Sequence, residues 1–299
     1  MTEEILDLDQ LKRNRLDHGK AILIAGIAVA ALMFILGSMD HVGGVALPGE
    51  WIDYLIFGLM AISGPYGFYM TYQRMRVRDI ERRLPEFLRD VAEAGRFGMT
   101  LSQAIVAASK GRYGRLTPEI RRMAAQIEWG VPASDAIRLF ADRVDTPMVR
   151  RMTAIIIKAN DVGGNVADVL TMVAHDAREV MLNQNERRIT MATYTVVIYV
   201  AFAVFIATIF ILNTTFLPKM VEAGSQLTEA AERAGASGSL VTIQTDVVST
   251  VQTLLVLAVV IHAFGDGILA GVLQDGQISS GLRHSFIMLA IGFVGTRLI

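Results

Sequence analysis

The chain of 299 residues contains no cysteine, only seven prolines and only two tryptophans. The absence of cysteine excludes disulfide bonds, thiolate metal sites, iron–sulfur clusters and cysteine nucleophiles. Proline is the residue that most strongly breaks helices, so its scarcity favours a helical protein. With 53% apolar residues and a mean hydropathy of +0.43, the composition is typical of a membrane protein.

The sequence also lacks the common catalytic motifs. It contains no Gly-x-x-x-x-Gly-Lys phosphate loop, no His-Glu-x-x-His zinc motif and no Gly-x-Ser-x-Gly elbow. The five histidines lie in different segments of the chain: His18, His41, His175, His262 and His284. We therefore predict no catalytic residue, no metal and no cofactor, and we expect the protein not to be an enzyme.

Long apolar runs recur along the chain, and a helix of about 20 such residues crosses the hydrocarbon core of a bilayer. Five runs are predicted as transmembrane helices: Ala21 to Gly37, Trp51 to Tyr72, Ile189 to Leu212, Val247 to Ala270 and Ser285 to Ile299. The fifth run is short and carries Arg297, so we expect it to span only if that arginine snorkels to the far interface or the native chain continues. The N-terminal arm, residues 1–20, lacks a signal cleavage site, so the first run is expected to be retained.

The charges are segregated along the chain. Of 28 lysines and arginines, 20 lie between residues 73 and 190, together with 15 acidic residues, whereas residues 38–50 carry no lysine or arginine. Short cytoplasmic flanks are enriched in lysine and arginine. This predicts a multi-pass protein of the cytoplasmic membrane, with residues 73–188 inside, residues 213–246 outside, the N-terminus cytoplasmic and the C-terminus external.

A short pattern occurs three times in the cytoplasmic segment, at spacings of 32 and 33 residues: Phe97 to Ile105, Trp129 to Ile137 and Val162 to Leu170. Each copy is typical of a helix end, a tight turn and a new helix start. Glycine adopts the left-handed conformation after a helix at little cost. The predicted turn residues are Gly98, Gly130, Gly163 and Gly164. Thr100 or Asn165 can cap the following helix, and Pro132 fits a first turn.

This punctuation predicts six helical segments within residues 73–188: Leu84 to Arg96, Leu101 to Ser109, Thr117 to Glu128, Ala133 to Val144, Thr146 to Asp161, and Val166 onward. Thr117 and Thr146 each precede a proline and are predicted as N-caps. Apolar residues at helical spacing give each segment one face to bury. The predicted fold is an all-α membrane protein with five transmembrane helices and a cytoplasmic six-helix bundle of three helical hairpins.

Several motifs, in order, carry a family resemblance: Arg83-Leu84-Pro85-Glu86-Phe87-Leu88, Leu116-Thr117-Pro118-Glu119-Ile120, Ile127-Glu128-Trp129-Gly130-Val131-Pro132, Gly163-Gly164-Asn165 with Asp176-Ala177-Arg178-Glu179, and Leu212-Asn213-Thr214-Thr215-Phe216-Leu217. Together with the stretch from Gly265 to Ser285, they resemble the integral-membrane platform family of type II secretion and type IV pilus machines. The archaeal branch, which includes the archaellum platform, is the most similar. The resemblance covers roughly residues 54–299.

The resemblance implies a function and partners. Such a platform couples a cytoplasmic hexameric assembly ATPase to the insertion of pilin-like subunits, and it pairs with a second copy or a related platform subunit. Many members carry two copies of the cytoplasmic domain, whereas this chain has one. It is therefore either a single-domain member or one half of a longer protein.

Paired arginines are the candidate contacts to the ATPase. Arg121 and Arg122, and likewise Arg150 and Arg151, lie at helix starts, where a cation opposes the helix dipole. Either an acidic partner surface or anionic lipid headgroups would favour them. Glu179 completes this candidate set. Nucleic-acid binding is not expected, because the cations alternate with acids and no aromatic stacking platform accompanies them.

Two features of the fourth predicted span leave alternatives open. His262 and Asp266 form either an interfacial pair, since Asp266 is expected within about a turn of the cytoplasmic end, or a proton relay. Gly267 and Gly271 form a close-packing face either within the subunit or between subunits. A small transporter or channel with a regulatory cytoplasmic helical domain is the alternative function. A membrane-tethered adaptor is a third.

Overall fold

The computed structural model describes residues 2–43, 50–233 and 245–297, and every regular element in these ranges is helical, as predicted. The α-helices in these ranges are α1 Thr2–Gly43, α2 Trp51–Arg96, α3 Leu101–Ala108, α4 Thr117–Glu128, α5 Ala133–Val144, α6 Pro147–Asp161, α7 Val166–Ile211, α8 Leu217–Arg233, α9 Thr245–Asp275 and α10 Ile278–Arg297. A 3₁₀ turn, Gly114–Leu116, precedes α4, and a π-helical turn, Leu212–Phe216, joins α7 to α8.

Two predicted segments belong to longer helices. α2 continues through Leu84, where a separate helix was expected to begin, because residues 73–83 contain no glycine or proline and five arginines, which are good helix formers. α7 likewise continues past Arg188 to Ile211, because residues 166–211 contain no glycine or proline. The bounds of α4 and α5 are those predicted from the sequence.

The chain divides into two compact units, of which the first comprises Met1–Leu16 and Tyr72–Ile189. Its hydrophobic core draws side chains from α2, α3, α4, α5, α6 and α7 and from the segment between α3 and α4, and it includes Phe87, Tyr113, Phe140, Ile120 and Met152. Burying one such side chain stabilises the fold by about 1.5–3 kcal/mol. The repeated hairpins thus share one core instead of forming separate ones.

The second unit comprises Asp17–Thr71 and Thr190–Ile299. Its core includes Ile56, Phe202, Ala263 and Met288. α9 and α10 form a hairpin in which the helices touch at glycines. A Cβ added to Gly271 would lie 2.1 Å from the Gly281 nitrogen, closer than any real contact. The Gly267 and Gly271 pair therefore packs within the subunit.

Four helical segments of the described chain are long and apolar enough to cross a membrane: His18–Met39, Val166–Leu227, Val248–Asp275 and Ile278–Arg297. The predicted count of five spans is not confirmed, because the segment from Trp51 to Tyr72 is not apolar enough to be one of these four. That segment contains Asp53, three glycines, a proline and four tyrosines. The short fifth predicted span, by contrast, belongs to α10, which begins at Ile278 and is one of these four segments. Within the predicted external segment, Leu217–Arg233 is helical and residues 234–244 lie outside the described chain.

One predicted cap is wrong. The 3₁₀ turn leads directly into α4, so Thr117 already has helical backbone angles and no side-chain cap occurs at this helix start. The Thr117 hydroxyl instead accepts a hydrogen bond from the Tyr113 backbone N–H at 2.7 Å. Thr146 caps α6 as predicted, accepting from the Val149 N–H at 3.3 Å.

Candidate functional site

The three repeated turns have one backbone geometry. Gly98, Gly130 and Gly163 have φ values of +85°, +92° and +73°, which only glycine adopts without strain. In each turn the glycine N–H bonds to a carbonyl three residues earlier, and the next N–H bonds to a carbonyl five residues earlier. This is the Schellman arrangement that satisfies the last carbonyls of a helix. Gly164 lies outside the left-handed region and supplies the second of these N–H groups in its turn.

Hydrogen bonds also define the helix starts after two of these turns. The Thr100 hydroxyl accepts from the Gln103 N–H at 3.4 Å, and the Gln103 side chain accepts from the Thr100 N–H at 3.0 Å, which completes a capping box. After the third turn, the Asn165 amide donates to Asp168 at 2.6 Å. The capping box therefore fixes where α3 begins, whereas the Asn165 bond joins two side chains in the first turn of α7.

The three turns lie at one end of the first unit. Asn160 donates to the Ser134 hydroxyl at 3.0 Å, and that hydroxyl donates to Asp161 at 3.0 Å, which joins the second turn to the third. A Cβ added to Gly95 would lie 3.1 Å from the Ala167 Cβ, which joins the first turn to the third. We call this region the turn end and define it as residues 93–103, 126–136 and 158–168.

A large apolar side chain projects from each turn. Phe97, Trp129 and Val162 directly precede the three left-handed glycines, and their exposed fractions are 86%, 90% and 78%. None of them belongs to the core of the unit. Sequence reasoning gave these residues no role, although the repeat itself contained the signal, since all three copies begin with a large apolar residue.

The structure places the predicted arginine contacts away from the turn end. Arg121 and Arg122 lie in the first turns of α4, and α4 is about 18 Å long. Arg150 pairs with Asp145 at 2.8 Å, and Arg151 pairs with Asp176 of α7 at 3.5 Å. Arg150 and Arg151 therefore have acidic partners within their own unit.

Glu179 lies on α7 in a groove that borders the turn end, because Arg96 and Asp168 line the same groove. It lines an open groove of about 480 Å³ together with Arg96, Asp168, Thr171, Met172, His175 and Asp176. The structure thus brings Arg151 and Glu179 to the neighbourhood of Asp176 on α7. Within the described ranges, no group of three histidine or acidic side chains could hold a metal ion.

In the second unit, His262 and Asp266 of α9 lie near each other on a partly exposed helix face. His262 Nδ1 lies 3.8 Å from Asp266 Oδ2, and the His262 ring packs edge-on against Phe205. α9 continues past Asp266 to Asp275, and the position of Asp266 near the cytoplasmic end of the span stays a prediction. His284 of α10 is buried and hydrogen-bonded to the Tyr199 hydroxyl at 2.9 Å, a contact that the sequence pattern did not predict.

Comparison with known proteins gives one family match. Residues 87–213 match the family described as type II secretion system (T2SS), protein F, which confirms the resemblance to the platform family. The chain is also similar to an uncharacterized protein of Methanocaldococcus jannaschii, with 27% identity over 245 residues. That alignment covers 81% of this chain and 38% of the relative, so the chain spans well under half of the relative's length. No solved structure matches.

Proposed function

Because this chain carries a type II secretion system protein F domain across residues 87–213, we propose that it is the integral-membrane platform of a type IV filament or a type II secretion-like machine. In this role it couples a cytoplasmic assembly ATPase to the insertion of pilin-like subunits. The family is one of non-catalytic membrane platforms that interact with a secretion ATPase and pilins. The single observation that carries the proposal is this domain in a chain with several apolar helices of membrane-spanning length.

The archaeal filament assignment is the finer part of the proposal. It is supported by the motifs from Gly265 to Ser285 and by the similarity to the Methanocaldococcus jannaschii protein. We assign nucleotide hydrolysis to a separate ATPase, because the sequence holds no phosphate-binding loop. The platform contributes a helical domain with a shared core, which transmits force without chemistry of its own.

We also propose the five-span topology, with the N-terminus and residues 73–188 in the cytoplasm and the C-terminus outside. The Arg297 guanidinium pairs with the Asp53 carboxylate, so the start of α2 and the end of α10 lie together in the second unit. This topology assigns both of those helix ends to the external face. The pair therefore supports Trp51 to Tyr72 as a span antiparallel to α10.

Two measurements test this function. The protein, purified from membranes, is expected to retain the secretion-type ATPase of its own cell, and deletion of its gene is expected to abolish a surface filament or a secreted product. Absence of both effects overturns the proposal. Because the native chain has no cysteine, single cysteines at Arg138 and Ser225 test the topology. An impermeant maleimide should label Ser225→Cys on intact cells and Arg138→Cys only after lysis.

A small transporter is the second candidate, favoured by the accessible His262 and Asp266 pair within an apolar helix. Ionisable groups inside a span often mark an ion pathway. Proteoliposomes that show a proton or solute flux lost in Asp266→Asn would favour this function. Absence of flux together with retention of the ATPase favours the platform.

A further inference from the structure

We propose that the turn end is the surface on which the assembly ATPase docks, with Phe97, Trp129 and Val162 as its apolar anchors. This inference rests on the proposed function, because it takes the ATPase as the partner. It differs from the sequence-based expectation, which assigned the contact to Arg121, Arg122, Arg150, Arg151 and Glu179.

The first argument is the exposure of the three anchors. Trp129 exposes 90% of its surface, Phe97 exposes 86% and Val162 exposes 78%. A single exposed apolar residue is ordinary, but several on one surface mark an interaction site. Tryptophan is also among the residues that contribute most to binding at protein interfaces. The three side chains make no contribution to the core, so folding alone does not explain them.

The second argument is that one local geometry presents all three. Each anchor directly precedes a glycine with positive φ, in a turn held by two backbone hydrogen bonds. A closed turn holds the backbone of its exposed residue, so less conformational entropy is lost when a partner binds. The Ser134 contacts to Asn160 and Asp161 hold the second and third turns together. The anchors therefore stand on an ordered framework.

The third argument is charge. The turn end contains five acidic residues, namely Glu93, Glu128, Asp135, Asp161 and Asp168, but only two basic ones, Arg96 and Lys158. Two of these acids pair with arginines just outside it, Glu93 with Arg89 at 3.5 Å and Asp135 with Arg138 at 3.6 Å. Between residues 73 and 190, by contrast, the basic residues number 20 against 15 acidic. The acidic rim that Glu128, Asp161 and Asp168 form around the apolar anchors fits a partner surface with apolar pockets and basic margins.

This charge distribution selects among possible occupants. Anionic lipid headgroups attract basic segments, so they are repelled by the turn end and not bound by it. A second copy joined turn end to turn end would bring two acidic rims together, which costs free energy. A different protein with a basic docking surface remains, and in the proposed function this protein is the cytoplasmic ATPase.

The test measures binding of the purified ATPase of the same organism to the full-length protein in nanodiscs of zwitterionic lipid. The variant replaces all three anchors with serine: Phe97→Ser, Trp129→Ser and Val162→Ser. Since the anchors are exposed, the variant is expected to keep its helical circular dichroism. The matched control is Leu182→Ser, because Leu182 is a 54% exposed residue of α7 in the same unit but lies about 24 Å along that helix from Val166.

We expect the triple variant to weaken binding by about tenfold or more, and the control to change it by less than about twofold. Glu128→Lys should weaken binding severalfold at low salt and less at high salt. If the wild-type protein does not bind the ATPase, the proposed function fails. If it binds and the triple variant binds equally well, the proposed function stands and this inference is overturned.

Three other results also overturn the inference. One is loss of ATPase binding in Arg121→Ala/Arg122→Ala with full binding by the triple variant. The second is flotation of the wild-type nanodiscs with phosphatidylserine vesicles that the triple variant abolishes. The third is self-association of the purified wild-type protein that the triple variant abolishes.

Discussion

Arg297 at the end of α10 pairs with Asp53 in the first turn of α2, so two charges inside predicted spans neutralise each other. The Asp53 side chain is only 15% exposed. It also accepts a hydrogen bond from the Glu50 backbone N–H at 3.0 Å, which caps α2. The Arg297 guanidinium lies 5.8 Å from the Phe293 ring centroid. Arg297, whose charge weakened the prediction of the fifth span, therefore joins α10 to α2.

Removal of either charge should destabilise the protein. In Asp53→Asn or Arg297→Gln, one charge loses its partner in a mostly apolar setting, and we expect a loss of about 1–3 kcal/mol. Thermal unfolding in detergent, followed by circular dichroism, measures the effect. The exchanged variant, Asp53→Arg with Arg297→Asp, should recover part of the loss. If each single variant melts like the wild type, the pair does not stabilise the fold.

Glycines of the α9 and α10 hairpin give a matched test of close helix packing. A Cβ at Gly271 would meet the Gly281 backbone at 2.1–2.2 Å, whereas a Cβ at Gly265 would meet nothing within 4 Å. We therefore expect Gly271→Ala to separate the helices and to lower the yield of folded protein sharply. Gly265→Ala should be neutral, since alanine favours a helix. Size-exclusion chromatography of both variants measures the folded yield, and equal profiles would contradict this packing.

How far the sequence predicted this fold depends on how local each signal is. Glycine, proline and capping side chains act within a few residues, and the bounds of α4 and α5 followed from them. The continuity of α2 through Leu84 was missed because an amphipathic pattern shows a buried face and not whether a helix began earlier. The partner of Arg297 was missed because Asp53 is 244 residues away. Contacts such as Tyr199 with His284 likewise depend on packing, which one sequence does not reveal.

The candidate site divides in the same way. The repeat indicated the glycines of the turns, and their backbone angles are visible in the structure. The exposure of Trp129 was not predicted, because one sequence does not show which apolar residues near a helix end are buried. The helical spacing of apolar residues indicated one buried face for each helix, but it did not show that these faces share one core.

The left-handed glycines should tolerate alanine poorly, although space surrounds them. Gly130 has a φ of +92° and nothing within 4 Å of an added Cβ, so the cost of Gly130→Ala is backbone strain alone. We expect a loss of about 1–2 kcal/mol. Gly164→Ala is the control, because Gly164 lies outside the left-handed region and its Cβ would meet Ala159 at an ordinary 3.8 Å. Melting temperatures in detergent compare the two variants, and equal losses would argue against strain.

Tyr113 should make stability depend on pH in the alkaline range. Burial and a 2.6 Å hydrogen bond to Asp90 raise the pKa of the Tyr113 hydroxyl in the folded protein above its ordinary value. The stabilisation is therefore complete below the unfolded pKa of about 10 and is lost as pH rises from there through the folded pKa. Tyr113→Phe lacks this titration.

The difference in stability between wild type and Tyr113→Phe should consequently narrow as the pH rises from about 9 to about 11. At pH 8 the variant is expected to be less stable, because Asp90 loses a hydrogen bond. Urea unfolding at several pH values, followed by circular dichroism, gives this difference. A constant difference between wild type and Tyr113→Phe would mean that the Tyr113 hydroxyl titrates alike in the folded and unfolded chain.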